Sequence, residues 1–296
     1  MSAWDCVKID AHLHLWEKQE GCIAGKPVVH LENGKSSFLG KVRQMMPPYL
    51  TDGANTAERL LANMDYAQVN ACVVTQEYMD GNQDAYLLQV RKAYPERFRI
   101  CSLYEERPDF ALEGFDGLKV CACRLADQDL TKLLPVFKKV EQAGKFISID
   151  MADGDAQVEG LQFLIDACPD LRIAIGHFGM VTRPGWMSQI RLARHKNVYV
   201  ESGGITWLFN DEFYPYPSAI RAIKEAADEV GMDKLMWGSD YPRTITAITY
   251  KMSYDFVTKS KELTDDEKRM FLSDNARQFF GFGDLIELPY IKNMSE

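Results

Sequence analysis

Histidine is scarce in this 296-residue chain, with five in all against 43 Asp and Glu. Other shortages exclude whole classes of protein. No apolar run approaches the roughly 20 residues needed to cross a bilayer, so no membrane association is expected. The opening Met1-Ser2-Ala3-Trp4-Asp5 has neither the basic region nor the apolar core of a signal peptide, which makes a cytoplasmic location the expectation. Basic residues never cluster and the net charge is −9, which argues against a nucleic-acid surface. Cysteine totals seven, an odd number, with Cys72, Cys101, Cys121 and Cys168 inside apolar segments. That pattern suits reduced thiols rather than a disulfide framework. The pair Cys121-Ala122-Cys123 is too isolated for a zinc knuckle and is expected to pack as buried small hydrophobes. There is no internal repeat and no low-complexity tract. No Gly-x-Gly-x-x-Gly follows the first strand, which counts against a dinucleotide-binding open sheet.

What the chain has instead is regular alternation. Hydrophobic residues make up 46% and charged residues 26%, ample for a folded core. Strand candidates rich in Val and Ile fall at 7–14, 71–76, 98–103, 117–121, 146–150, 172–177, 198–202 and 235–240. Between them lie helical spacings: Leu60, Leu61 and Met64; Leu133, Leu134, Phe137 and Val140; Leu161, Leu164 and Ile165; Ile220, Ile223 and Ala227. The strands read as continuous apolar runs, as parallel strands covered on both faces do. Eight strand–helix units predict an α/β fold, a closed (β/α)8 TIM barrel forming a single domain over 1–296; a doubly wound open sheet is the alternative. Two segments break the rhythm. Residues 17–55 carry Gly21, Gly25, Pro27, Gly34, Gly40, Pro47, Pro48 and Gly53, read here as breakers of any regular element in a long loop over the barrel mouth. Residues 207–217 (Trp-Leu-Phe-Asn-Asp-Glu-Phe-Tyr-Pro-Tyr-Pro) form an aromatic insert after strand seven, either a rim cluster or a substrate wall.

Polar residues gather at the strand ends. In Val7–Trp16, His12 and His14 are two apart and face one side of a strand, about 7 Å apart along it. Asp150, His177, Glu201 and Asp240 each close or nearly close a later apolar run. In a barrel these ends converge on one mouth. A charge there is costly unless paired or ligated. A helix N-cap accounts for one such residue, not for six with three histidines among them. His30, in the long loop, and His195, in a turn at the opposite barrel face, are set aside.

Three motifs then carry a resemblance: Asp-Ala-His-Leu-His-Leu-Trp (10–16), Ile-Gly-His-Phe-Gly (175–179) and Trp-Gly-Ser-Asp-Tyr-Pro (237–242). With Ser-Asp-Asn-Ala-Arg-Gln-Phe-Phe (273–280) closing the barrel, the chain resembles the amidohydrolase superfamily over residues 7–281. It resembles most its amidohydrolase-2 branch, which contains pyrone-dicarboxylate, sulfomuconolactone and sugar lactonases, with aromatic-acid decarboxylases further off. The resemblance implies that His12, His14, His177 and Asp240 hold a divalent metal, and that Asp240 with His177 carries catalysis. In such enzymes the aspartate takes the attacking water's proton and passes it to the leaving group, and a metal pulls that water's pKa toward neutrality. Zn²⁺ or Mn²⁺ suits mixed imidazole and carboxylate ligands. Two departures stand out: Asp150 sits where many members have a fifth-strand histidine, and only Lys119 occupies the place of a carboxylated lysine on strand four. Some lactonases of this branch work without a tightly held metal, so the ion is weakly held or absent in that variant of the expectation.

The expected partner is a small anionic substrate. Lys119, Arg124 and Arg243 offer cations, Arg able to hold a carboxylate bidentately. Asp150 and Glu201 complete the polar lining, and Trp207 and Tyr241, with Trp16 and Trp237, offer flat walls. The expected activity is hydrolysis of a small cyclic ester, a lactone of a sugar acid or ring-cleavage product. A metal-dependent decarboxylase on the same barrel and a metabolite-binding barrel without catalysis are the other readings. The sequence leaves a homo-oligomer open.

Overall fold

Short β-branched strands buried on both faces alternate along the chain with helices that bury one stripe. The computed structural model describes residues 7–294. Eight parallel strands follow one another in sequence order around the sheet. They are β1 (Ile9–Leu13), β2 (Ala71–Val74), β3 (Phe98–Leu103), β4 (Gly117–Val120), β5 (Phe146–Ile149), β6 (Arg172–Ile175), β7 (Val198–Glu201) and β8 (Leu235–Met236). The seam is closed by Ala11 N–H to Trp237 O, Asp240 N–H to His12 O and His14 N–H to Tyr241 O, each 2.9 Å. This is a (β/α)8 barrel, and its C-terminal strand ends form the mouth.

The helices appear where apolar spacing places them, at Ala57–Ala67, Leu134–Gln142, Val158–Ala167 and Pro217–Val230. Outward residues such as Val74, Leu118, Ile147, Ile173 and Val200 join the helix faces in one core. Inward residues at the opposite end, among them Ala71, Val73, Phe146 and Ala174, pack on Phe279 and Phe280 of the closing helix Asn275–Phe280. That end is therefore sealed by aromatic rings, with Phe146 and Phe280 centroids 5.0 Å apart. Among the described residues no helix is long and apolar enough to cross a membrane.

The segment 17–55 corrects an expectation. It contains a ribbon pairing Cys22–Ile23 with Lys26–Pro27, and an antiparallel three-stranded sheet of Val29–His30, Lys35–Phe38 and Lys41–Gln44. Three of the residues expected to break regular structure, Gly25, Gly34 and Gly40, sit in its turns. Ala24-Gly25 and Leu39-Gly40 have positive φ at both positions (49° and 72°, 50° and 78°), the backbone that two-residue hairpins require. Period-two alternation inside strands of two to four residues is too short to show through such turns.

Candidate active site

The site begins with a slip in β1. Ile9 and Ala11 face the aromatic plug, so strict alternation would turn His12 outward. The pairing with β2 shifts register between Asp10 and Leu13. Beyond the slip His12 and His14 both face inward, while Leu13 joins the outer core. A bulge beside a site that re-aims side chains does this. Asp10, fully buried, fastens the slipped segment to the end of β8. Its carboxyl accepts from His12 N–H, Ser239 N–H, the Ser239 hydroxyl and the Tyr250 hydroxyl. Burial pushes its pKa up to about 7 in spite of those four donors.

Two of the three inward imidazoles have a hydrogen-bonded outer partner at Nδ1. His12 Nδ1 lies 2.6 Å from Glu201 Oε1, and His177 Nδ1 lies 2.8 Å from Gly203 O. His14 Nδ1 faces Asp80 Oδ2 at 3.6 Å. The Nε2 atoms point to a common space. His12 Nε2 and His14 Nε2 are 3.2 Å apart, and His14 Nε2 is 3.0 Å from Asp240 Oδ1. His177 Nε2 lies 3.6 Å from Asp150 Oδ2. Ligand atoms of His12, His14 and Asp240 lie within 4.8 Å of one another, as do those of His12, Asp150 and His177.

Asp240 also accepts from Trp207 Nε1 at 2.8 Å. Burial favours its neutral form, but the His14 hydrogen bond and the charges of Arg243, His14 and His177 outweigh it and hold the carboxylate below its usual range. Burial likewise opposes a charge on His177, yet Asp150, Asp240 and Glu201 raise it to about 10. His177 and Asp240 both adopt left-handed backbone, φ 53° and 58°. For non-glycine residues this stores about 1–3 kcal/mol each, the kind of strain that collects at functional sites.

Gly176, Gly203 and Gly238 are steric requirements. A Cβ on Gly176 would stand 2.1 Å from Asp150 Oδ1 and 2.9 Å from Glu201 Oε1. One on Gly238 would meet Glu201 Oε2 and His12 Cβ at 2.8 Å, and one on Gly203 would meet the His12 ring at 2.9 Å.

Above the cluster opens a cavity of about 690 Å³, lined by His14, Asp150, His177, Trp207, Asp240 and Arg243 among others. Arg124 lines it too, its Nε 3.5 Å from Glu77. Several expected contacts are corrected. Lys119 is fully buried with Nζ 2.7 Å from Asp150 Oδ1 and is absent from the cavity wall, so its charge serves Asp150 rather than a substrate. Glu201 is sealed, its oxygens taken by His12, the Gly203 N–H and the His177 N–H. Tyr241, Trp16 and Trp237 are buried behind the wall, which leaves Trp207 as the expected aromatic on it. Cys121 is buried as expected, but Cys123 is exposed and lines the cavity. His195 pairs with Gln162, away from the site.

The sequence reading missed Glu77 and Asp80, although Thr75-Gln76-Glu77 following the apolar β2 is the same strand-end signal that marked Asp150. Asp80, almost fully buried, accepts from Arg243 Nη2 at 2.8 Å and from Gln19 Nε2 at 3.1 Å.

A divalent cation fits this donor set. His12 Nδ1 is taken by Glu201, which leaves Nε2 turned to His14 Nε2 at 3.2 Å, itself beside the Asp240 carboxylate. A cation among these three atoms would be ligated by all of them, and outer partners at Nδ1 are what metal-binding histidines use to fix their tautomer.

A family model described as Amidohydrolase (Amidohydro_2) matches residues 9–282. The chain belongs to the Amidohydrolase family. No curated protein matches it significantly in sequence. Among solved structures, an amidohydrolase from Burkholderia multivorans with bound zinc is 14% identical, with TM-score 0.68, over 93% of this chain and 99% of that one. A candidate 2-pyrone-4,6-dicarboxylic acid hydrolase from Acinetobacter baumannii, with citric acid bound, is 18% identical with TM-score 0.63, over 94% and 100%. The 5-carboxyvanillate decarboxylase of Novosphingobium aromaticivorans, complexed with manganese, is 17% identical with TM-score 0.55, over 76% and 80%. At these identities the likeness concerns the amidohydrolase fold alone.

Proposed function

We propose that this amidohydrolase is a hydrolase that opens a small cyclic ester carrying a carboxylate. The observation that carries the reading is the position of Asp240. It is buried at the cavity floor, with Oδ1 3.0 Å from His14 Nε2 and Oδ2 accepting from Trp207. Hydrolysis begins by taking a proton from water, which needs a carboxylate; a decarboxylase begins by giving a proton to carbon, which needs a carboxylic acid. Asp240, beside the histidine cluster with Oδ1 facing it, is placed for the first task.

A carboxylate is a weak base toward free water, so the water must be acidified. A divalent ion held by His12, His14, His177 and Asp240, Zn²⁺ or Mn²⁺ by its ligand types, would supply this and polarise the ester carbonyl. The chain's own groups do the rest. Asp240 accepts the water proton and returns it to the leaving alkoxide as the ring opens. Trp207 Nε1 donates to one Asp240 oxygen, which leaves Oδ1 to face the cluster. Without the ion, the neighbouring Asp150 favours the protonated form of His177, which would offer an N–H to the carbonyl oxygen. The hydrophobic wall of Met151, Met180 and Trp207 suits a flat ring.

The test is a panel of carboxylated lactones followed by proton release, beside a panel of aromatic acids followed by CO2 release, with parent and Asp240→Asn. Lactone turnover that falls a hundredfold or more in Asp240→Asn bears out the reading. CO2 release without lactone opening overturns it in favour of the decarboxylase.

A further inference from the structure

The cations expected to meet the substrate are largely spent within the protein. Lys119 is spent on Asp150, Arg243 on Asp80 and Asp240 (2.8 and 3.8 Å), and Arg124 in part on Glu77. One cavity cation is different. Arg43 lies on the hairpin of Lys35–Phe38 and Lys41–Gln44, and among the described residues it forms no ion pair.

The hairpin's register sets Arg43 opposite the residue that anchors the hairpin. Ser36 pairs with Arg43 and Phe38 with Lys41, so Ser36, Phe38 and Arg43 share one face. Ser36 is fully buried and its hydroxyl donates to Gln19 Oε1 at 2.8 Å, which anchors the hairpin, while Arg43 opposite it is exposed at the cavity wall. Gln19 in turn donates to Asp80, which holds Arg243 and faces His14. The hairpin is thus tied by buried hydrogen bonds to the floor of the site. The Arg43 guanidinium lies over the Phe38 ring at 5.8 Å, which steadies it without neutralising it.

We propose that Arg43 is the specificity-determining residue of this cavity: it takes a carboxylate of the substrate at the outer wall, away from the ester bond opened at Asp240. This rests on the hydrolase reading for the identity of the bond but not for the identity of the anion. An unpaired guanidinium on a cavity wall is a bidentate receptor for a planar anion. The acids Glu77, Asp150 and Asp240 on the same wall disfavour an anion that lacks such a contact.

The experiment compares parent, Arg43→Met and Lys35→Met, the last removing the same charge from the same hairpin at a residue outside the cavity wall. For a lactone that the parent opens, kcat/KM is measured for the free carboxylate and for its methyl ester. The preference for the carboxylate should fall tenfold or more in Arg43→Met and less than twofold in Lys35→Met. In a second arm, citrate binding is measured by calorimetry, and Arg43→Met should weaken it tenfold or more relative to Lys35→Met. This arm reads anion capture whether or not any lactone is opened, so failure of the hydrolase reading leaves it decisive. Equal losses in the two variants, or no loss in either, overturn the role of Arg43.

Discussion

Replacing Lys119 by methionine removes a charge while keeping an unbranched side chain of similar length. The lysine is fully buried, and burial alone would favour its neutral form; the Asp150 carboxylate at 2.7 Å outweighs that and raises its pKa. Asp150 is held well below the usual range, burial opposing its charge and Lys119 and then His177 favouring it. Removing one partner of a buried pair leaves an uncompensated charge, at about 3–5 kcal/mol. His177 remains 3.6 Å from Asp150 and offsets part of this, which puts the expected loss near the lower end, about 3 kcal/mol. The intact pair contributes less than its breakage costs, because two charges had to leave water. Lys119→Met/Asp150→Asn should therefore recover most of the loss. The sign with pH follows from the depressed folded pKa of Asp150. Its contribution is present above the unfolded carboxylate value of about 4 and is lost as pH falls toward the folded value, so the gap between parent and Lys119→Met is full at pH 7 and narrows below about pH 4. Urea unfolding with linear extrapolation measures all three proteins. A single variant within about 1 kcal/mol of the parent, or a double variant as damaged as the single, would refute the reasoning.

Glu201→Gln removes the anionic partner of His12, so zinc affinity, read by competition with a chromophoric chelator, should drop about 10–100-fold; unchanged affinity would show that Glu201 does not orient a ligand. Gly176→Ala places a methyl 2.1 Å from Asp150 Oδ1, and the wall cannot yield without moving that carboxylate. A loss of about 1–3 kcal/mol in thermal unfolding is expected, with lowered turnover; a variant as stable and active as the parent would mean that the wall gives way.

How much of this was legible depends on whether a residue's role follows from its own strand. The barrel was, because eight apolar runs with helical spacings between them admit few topologies. His12, His14, Asp150, His177 and Asp240 were legible for the same reason: each is a polar residue at the end of an apolar strand, and the fold sends all those ends to one place. The motif glycines became intelligible only with neighbours in view, since Gly176 is required by carboxylates on β7 and just past β5.

Partnership between charges was not legible. Lys119, Arg124 and Arg243 looked alike as cations near the mouth, and what separates them from Arg43 is which acid each one meets. Asp150 lies 31 residues from Lys119 and Asp80 lies 163 from Arg243 along the chain. A buried cation tends to be paired and an unpaired one to be exposed, because desolvating a lone charge costs more than the contact returns. It follows that the cation most useful to a substrate is the one the protein leaves accessible and unsatisfied. In this barrel that cation came from the segment where short hairpins, closed by glycine turns, hide their alternation from a sequence reading.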